Sequence, residues 1–372
     1  MGFSRLRFYN FRNLENTTVD SSAQSVFLVG ENGQGKTNVL EAIYMLCYGS
    51  SFRTRREDVL VRHEEDSYAL DGKYRRENQN EVEISIRSGR SGKDIRVNDT
   101  TVTDRRDLIR NVPAIVFCHD DIAFVRGGPS HQRRLFNQTQ SLQDELFVDS
   151  LRRYQKILDS RNALLKEGRT DLIDVYDEQL AAAGLEIMRE RTRTVAEFNK
   201  SFSPLFADIS GIARVLAIDY RPSWPAEADL AGVVGLIREK KEQDLRMRTT
   251  TTGPHRDRFL FMLEDRNFVR IASTGQLRLM SLILRVAQAE HYTAKTGRRP
   301  VLLVDDVLLE LDPRRREAFV ERLPEFEQAF YTFLPDEQYS SYINGETKVF
   351  TVEAGSLRER GKSVRATQKI SR

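Results

Sequence analysis

Cysteine is nearly absent from this 372-residue chain, with only Cys47 and Cys118, so no disulfide framework holds the fold. Both sit in apolar runs, Tyr44-Met45-Leu46-Cys47-Tyr48 and Ile115-Val116-Phe117-Cys118, which predicts buried free thiols in a reducing cytosol. The five histidines are scattered, with no H-E-x-x-H and no Cys/His spacing, and a structural zinc site is thereby excluded. Long hydrophobic runs are missing too. Met1-Gly2-Phe3-Ser4-Arg5-Leu6 has no apolar segment of signal-peptide length and no run approaches a span, so a cytoplasmic protein without a membrane partner is expected. An excess of one charge is also lacking. Lys and Arg number 58 against 55 Asp and Glu, a net +3, so any nucleic-acid face must come from local clusters. The single tryptophan, Trp224, and the phenylalanines are expected in the core.

What is present is an ordinary globular composition, 40% hydrophobic and 30% charged, in a length that accommodates two or three domains or one large domain with an insertion. The front half reads as mixed α/β. Residues 3–9 and 25–29 read as strands, the segments Tyr68 to Tyr74, Glu81 to Arg87 and Asp94 to Val97 alternate like half-buried antiparallel strands, and Pro113 to Phe117 reads as a buried one. Apolar spacing then predicts a helical hairpin. Its helices run from Gln143 to Lys166 and from Asp171 to Phe202, each on the order of 40 Å, with Gly168 as the stop and Thr170 as the next N-cap. A further helix carries Leu230, Val233, Ile237 and Leu245, and a β-hairpin pairs Phe259 to Leu263 with Phe268 to Ala272. From Gly355 onward the basic tail is expected to be disordered.

Three motifs carry chemistry. Gly30-Glu31-Asn32-Gly33-Gln34-Gly35-Lys36-Thr37 fits G-x-x-x-x-G-K-[ST] between an apolar strand and an amphipathic helix. Its glycines let backbone N–H groups curl around phosphate, Lys36 reaches the β- and γ-phosphates of ATP, and Thr37 offers a hydroxyl to Mg²⁺. The apolar strand Pro300 to Val304 ends in Asp305 and Asp306, at the edge where ligands gather in parallel sheets. Asp305 is placed to hold Mg²⁺, and Asp306 to orient and partly deprotonate the attacking water. Ser273-Thr274-Gly275-Gln276 opens a helix as a capping box, and a serine hydroxyl, an unobstructed glycine and a helix N-terminus together make a γ-phosphate sensor.

An S-x-G-Q helix start just upstream of an acidic strand resembles the signature motif of ATP-binding-cassette ATPases, in which one subunit's signature closes over the nucleotide of another. Leu309-Glu310-Leu311-Asp312 resembles the D-loop of that superfamily. Within it, the chain resembles the RecF family of bacterial recombination mediators up to about residue 355. Phe11-Arg12-Asn13, Leu40 to Tyr44, Ser51-Phe52-Arg53, Gly128-Pro129, Arg133-Arg134 and Gly253-Pro254-His255-Arg256-Asp257 carry that resemblance, together with the paired aspartates. Departures are Leu309 for a serine, Arg258 for an acid and Asn137 for an aspartate. No switch histidine stands near Phe330 to Phe333, and no Q-loop glutamine follows Phe117, where His119 and Asp120 are the nearest polar residues.

The resemblance implies an ABC-ATPase head. Lobe I runs over residues 1–120, lobe II with a short helical arm and the signature over 121–299, and 300–372 completes lobe I and adds the tail. Lys36 and Asp305 are 269 positions apart (305 − 36), too few for the long coiled coils of chromosome-organising heads. The implied nucleotide contacts are Arg12, Asn13, Gly30 to Asn38, Ser273, Gly275 and Gln276, with Thr37 and Asp305 on Mg²⁺. The implied activity is a slow, DNA-stimulated ATPase that dimerises on ATP, clamps duplex DNA near single-strand gaps and acts with RecO and RecR to load RecA, in replication and the SOS response. Arg53, Arg55, Arg56, Arg133, Arg134, Arg152 and Arg153 are candidate DNA contacts, since sequence-independent binding needs only clustered cations. The alternatives are a transporter's nucleotide-binding subunit, which would need a membrane partner, and a chromosome-organising head.

Overall fold

The computed structural model describes residues 2–361 apart from 77–79, 91, 105, 170 and 171, and leaves the side chains of 309 and 310 undescribed. The chain divides into two compact units. The first comprises Met1–Cys118, Arg299–Val307 and Glu325–Arg372, and the second His119–Arg298 and Leu308–Pro324.

The first unit is built on two six-stranded sheets. In one, the order is Ser356–Glu359, Thr347–Glu353, Ser25–Val29, Gln328–Phe333, Val301–Val304 and Ala114–Phe117, all parallel except the first. Ser25–Val29, Gln328–Phe333, Val301–Val304 and Ala114–Phe117 are buried along nearly their whole length and are mostly apolar because both faces are covered. The other sheet is antiparallel, in the order Thr17–Asp20, Gly2–Tyr9, Tyr68–Arg75, Glu81–Gly89, Gly92–Val97 and Thr100–Thr101. Its strands alternate buried and exposed, as a sheet wetted on one face must. Helix Lys36–Tyr48 buries nearly its whole circumference, and one hydrophobic core joins its Leu46 and neighbours to residues of both sheets, among them Phe3, Ile84, Val301 and Phe330.

Two sequence expectations change here. Cys47 is buried and its thiol is pushed upward by desolvation, but Cys118 is only half-buried because it lies just past the end of its strand. The tail is not disordered from Gly355, since Ser356–Glu359 pairs antiparallel with Thr347–Glu353; the rest of that expectation, from 362 on, lies outside the described residues.

In the second unit, helix Glu145–Glu167 starts at Asp144, whose carboxylate accepts from the Leu146 N–H, and stops at Gly168, with φ 69°. Its partner Ile173–Ser210 runs for 38 residues, about 57 Å, well beyond the expected end. Pro204 lies inside it, and the buried Leu205, Phe206 and Ile209 keep the helix packed past the lost N–H. The expected N-cap, Thr170, lies outside the described residues. The helix around Leu230 to Leu245 is two helices, Leu230–Glu239 and Lys241–Met247. The expected β-hairpin is also cut short. Arg258–Leu263 pairs with Leu216–Arg221 and with Arg266–Asn267, after which Asn267 caps the short helix Phe268–Ile271. Trp224 is buried, as expected, in a core with Phe147, Leu180 and Val233.

Candidate nucleotide site

Parallel strands Ser25–Val29, Gln328–Phe333 and Val301–Val304 are adjacent and in register, so their carboxyl ends deliver three polar segments to one edge of the first unit. From the first comes the loop Gly30 to Gly35. Gly35 has φ 114°, which admits no β-carbon without strain, and helix Lys36–Tyr48 follows it with no side chain capping its first turn. A β-carbon at Gly30 would fall 2.3 Å from the Val352 carbonyl oxygen, so the loop lies close against the C-terminal hairpin. That hairpin also grips it directly. The N–H of Gly355 donates to the Gln34 carbonyl at 2.9 Å, and the N–H of Ala354 to Gln34 Oε1 at 2.6 Å.

Lys36 is 4% exposed, and its ammonium donates to the carbonyls of Gly30 at 2.8 Å and Glu31 at 3.2 Å. It stands 3.8 Å from Asp306 Oδ2. Thr37 Oγ1 donates to Asp305 Oδ1 at 2.8 Å, and burial pushes the Asp305 carboxyl up to about 6. A desolvated carboxylate beside a hydroxyl, with no ion-pair partner among the described residues, is the donor set that a hard divalent ion completes with water and phosphate oxygens. The residues therefore fit Mg²⁺.

Arg12 and Asn13 adjoin the loop from another side. Arg12 makes a two-pronged ion pair at 2.9 Å with the fully buried Glu41, on the inner face of the P-loop helix. Asn13 Oδ1 accepts from Asn38 at 2.7 Å, and its amide donates to the Gly33 carbonyl at 3.5 Å. The element thus buttresses loop and helix together. Glu31 and Asn32 are exposed on the loop.

In the second unit, Ser273 caps helix Thr274–Thr296 in a complete capping box. Its N–H donates to Gln276 Oε1 at 2.8 Å, and its hydroxyl accepts from the Gln276 N–H at 3.3 Å. Ser273, Thr274 and Gly275 are exposed, and nothing lies within 4 Å of a β-carbon at Gly275. An open helix N-terminus, free for a phosphate to approach, is the result.

Residues 3–357 match the family described as the RecF/RecN/SMC N terminal domain. DNA replication and repair protein RecF of Treponema pallidum (strain Nichols) is 40% identical over 352 residues, covering 94% of this chain and 99% of that protein. The chain belongs to the RecF family. RecF of Leptospira interrogans serovar Lai is 31% identical over 96% of this chain and 99% of its own length. A solved structure of the recombination mediator protein RecF with ATP, in the RecFOR pathway, superposes with a TM-score of 0.88 at 28% identity, covering 97% of this chain and 98% of that one. An Smc head bound to part of ScpA matches at 0.59 and 15% identity and speaks to the fold alone, which is that of an ABC-ATPase head.

The candidate DNA contacts fare unequally. Arg53 donates to Asn38 and Glu41, Arg56 pairs with Asp58, Arg133 donates to the Asp257 carbonyl, and Arg152 and Arg153 pair with Asp149 and Glu186. Arg55 and Arg134 are exposed and have no side-chain partner among the described residues. His119 and Asp120 fall in a single 3-10 turn, and no helix of the described residues is long and apolar enough to cross a membrane. Sequence reasoning missed Thr332. Its hydroxyl stands 2.7 Å from both the Asp306 N–H nitrogen and Asp306 Oδ1, in the stretch Phe330 to Phe333 that carries no histidine.

Proposed function

We propose that this protein is an ATP-operated DNA clamp of recombinational repair, in which binding of ATP joins two copies and hydrolysis releases them. The observation that carries the reading is the meeting of Lys36, Thr37, Asp305 and Asp306 at the carboxyl edge of one parallel sheet. The loop N–H groups and the uncapped helix start receive the β-phosphate, and Lys36 exchanges its carbonyl partners for phosphate oxygens. Mg²⁺, held by Thr37 and Asp305, would neutralise charge on the β- and γ-phosphates. Asp306 takes the water's proton through Oδ2, and its side chain, one carbon shorter than glutamate, suits slow turnover and a timed switch.

The exposed Ser273 hydroxyl and Gly275 of a second copy complete the γ-phosphate site. Arg12 and Asn13 couple loop movement to the P-loop helix through Glu41 and Asn38. The first compact unit acts as lobe I and the second as lobe II, with Leu308–Pro324 falling to the second unit rather than to the expected 300–372 completion of lobe I. The closed pair holds duplex DNA at single-strand gaps, with Arg55 and Arg134 as the cations with most freedom to reach phosphates and the five engaged arginines contributing less. The place of the solved RecF–ATP structure in the RecFOR pathway supports RecO and RecR as partners; RecA loading is the outcome proposed for that partnership, and the cytoplasm its location.

Ser273→Arg separates dimerisation from nucleotide binding. The variant should bind fluorescent ATP as the wild type does yet stay monomeric in light scattering; a variant that dimerises normally removes the signature role.

A further inference from the structure

Thr332 is the penultimate residue of strand Gln328–Phe333, between the strand that enters the P-loop and the strand that ends in the two aspartates. It is 3% exposed. Its oxygen accepts the Asp306 N–H at 2.7 Å and lies 2.7 Å from Asp306 Oδ1, but 3.4 Å from Asp305 Oδ1. A hydroxyl owns a single proton, so the shorter contact takes it and Asp306 Oδ1 becomes the acceptor.

Asp306 itself is held at φ 51°, a left-handed conformation that is unfavourable for a non-glycine residue. Two bonds from one side chain, to its backbone N–H and to its carboxylate, oppose that cost and fix both ends of the residue. With Oδ1 engaged, Oδ2 is the oxygen left facing Lys36, at 3.8 Å. A structural role alone, a buried threonine satisfying a turn, would require the backbone bond but not the carboxylate one.

We propose that Thr332 is a positioning residue for ATP hydrolysis, pinning Asp306 in its left-handed turn so that Oδ2 addresses the attacking water. The inference rests on the reading of Asp306 as the group that takes the water's proton. Thr332 touches neither water nor phosphate; it acts through Asp306.

The test compares Thr332→Val, Thr332→Ser, Asp306→Asn and the double variant Thr332→Val/Asp306→Asn in the full-length protein. Three quantities are measured: single-turnover ATP hydrolysis with Mg²⁺, equilibrium affinity for fluorescent ATP, and melting temperature. Thr332→Val should lower the hydrolysis rate on the order of 10- to 100-fold, with ATP affinity within about twofold of wild type. Serine at 332 should restore the rate to within a few fold, and valine should add nothing to the Asp306→Asn defect. Wild-type turnover by Thr332→Val overturns the inference while leaving the reading of Asp306 intact, provided Asp306→Asn is slow. A rate that falls only in step with melting temperature, without rescue by serine, also overturns it. Wild-type turnover by Asp306→Asn overturns the reading of Asp306, and the inference with it.

Discussion

Lys36 in the first unit and Arg161 and Arg191 in the second are all buried cations, but they are differently satisfied, and the acids beside Lys36 are only half-buried where those around the two arginines are fully so. Arg161, 0% exposed, donates to Asp177 at 2.7 Å, to Asp244 at 2.6 Å and to Thr250 at 2.9 Å, and Asp244 receives both the N–H and the hydroxyl of Thr251. Arg191 is held by Asp257, the Pro254 carbonyl and Asn137, while Asp257 also accepts from Ser223 and Tyr220. Fixed side chains and a carbonyl take most of those guanidinium N–H groups, with Arg161 Nη2 and Arg191 Nε left without a hydrogen-bond partner among the described residues. Lys36, in contrast, leans on two backbone carbonyls that it can leave, Asp305 accepts side-chain hydrogen bonds only from hydroxyls among the described residues, and Asp306 Oδ2 faces the Lys36 ammonium at a loose 3.8 Å. A charge whose partners are fixed side chains holds a fold together; a charge with replaceable partners waits for a ligand. The Gly253 to Asp257 run, a hallmark in the sequence, belongs to the first kind, and with the neutral Asn137 beside Arg191, Asp257 is that arginine's one anionic partner among the described residues.

The sharpest way to break this comparison is Arg161→Ala. It strands Asp177 and Asp244 without their cation, and a loss of about 3–5 kcal/mol is expected in urea unfolding. A loss under about 1 kcal/mol would show that the network is no structural lock.

His255 gives the next effect. Its ring lies between the Tyr154 hydroxyl, at 2.7 Å, and the Thr250 carbonyl, at 3.0 Å, and burial pushes its pKa down from 6.5 to about 4. The unfolded chain therefore binds the proton first as pH falls. Stability is full above pH 6.5 and declines toward pH 4, by roughly 3 kcal/mol in all. The difference between wild type and His255→Gln across that window isolates this share, and parallel curves would refute it.

The smallest effect is at the surface. Arg56→Ala removes an exposed pair with Asp58, screened by water and salt, and should leave the urea unfolding midpoint unchanged. Arg55→Ala, with no pair to lose, should instead weaken DNA binding and lower its salt slope by about one, read by fluorescence anisotropy. Equal DNA affinity in the two variants would erase the distinction between engaged and free cations.

These contrasts also explain what could be read in the sequence. The P-loop, the acidic strand and the capping box were legible because each is a contiguous motif whose geometry is set by its own glycines, apolar run or cap. The arm was legible by period, yet its second helix passes Pro204 because tertiary packing outweighs one lost hydrogen bond. The short helix Phe268–Ile271 was misread as a strand because Asn267, as a cap, decides the matter over four apolar residues. Thr332 was invisible for a deeper reason. It is an ordinary threonine in an apolar strand, and only parallel pairing with Val301–Val304 brings it to Asp306, 26 positions away. Strand Ser356–Glu359 hid likewise in a basic tail, where only the turn at Ala354 and Gly355 against Gln34 shows that it supports the loop.

The central claim is that nucleotide with replaceable partners in one copy recruits the second. Its most direct test is the solution mass by light scattering of wild type and Lys36→Ala, each with and without saturating ATP, Mg²⁺ and gapped duplex DNA. Wild type should double its mass only when ATP is present, and Lys36→Ala should remain a monomer throughout. A wild type that stays monomeric under every condition, or a Lys36→Ala variant that doubles with ATP, would contradict the account.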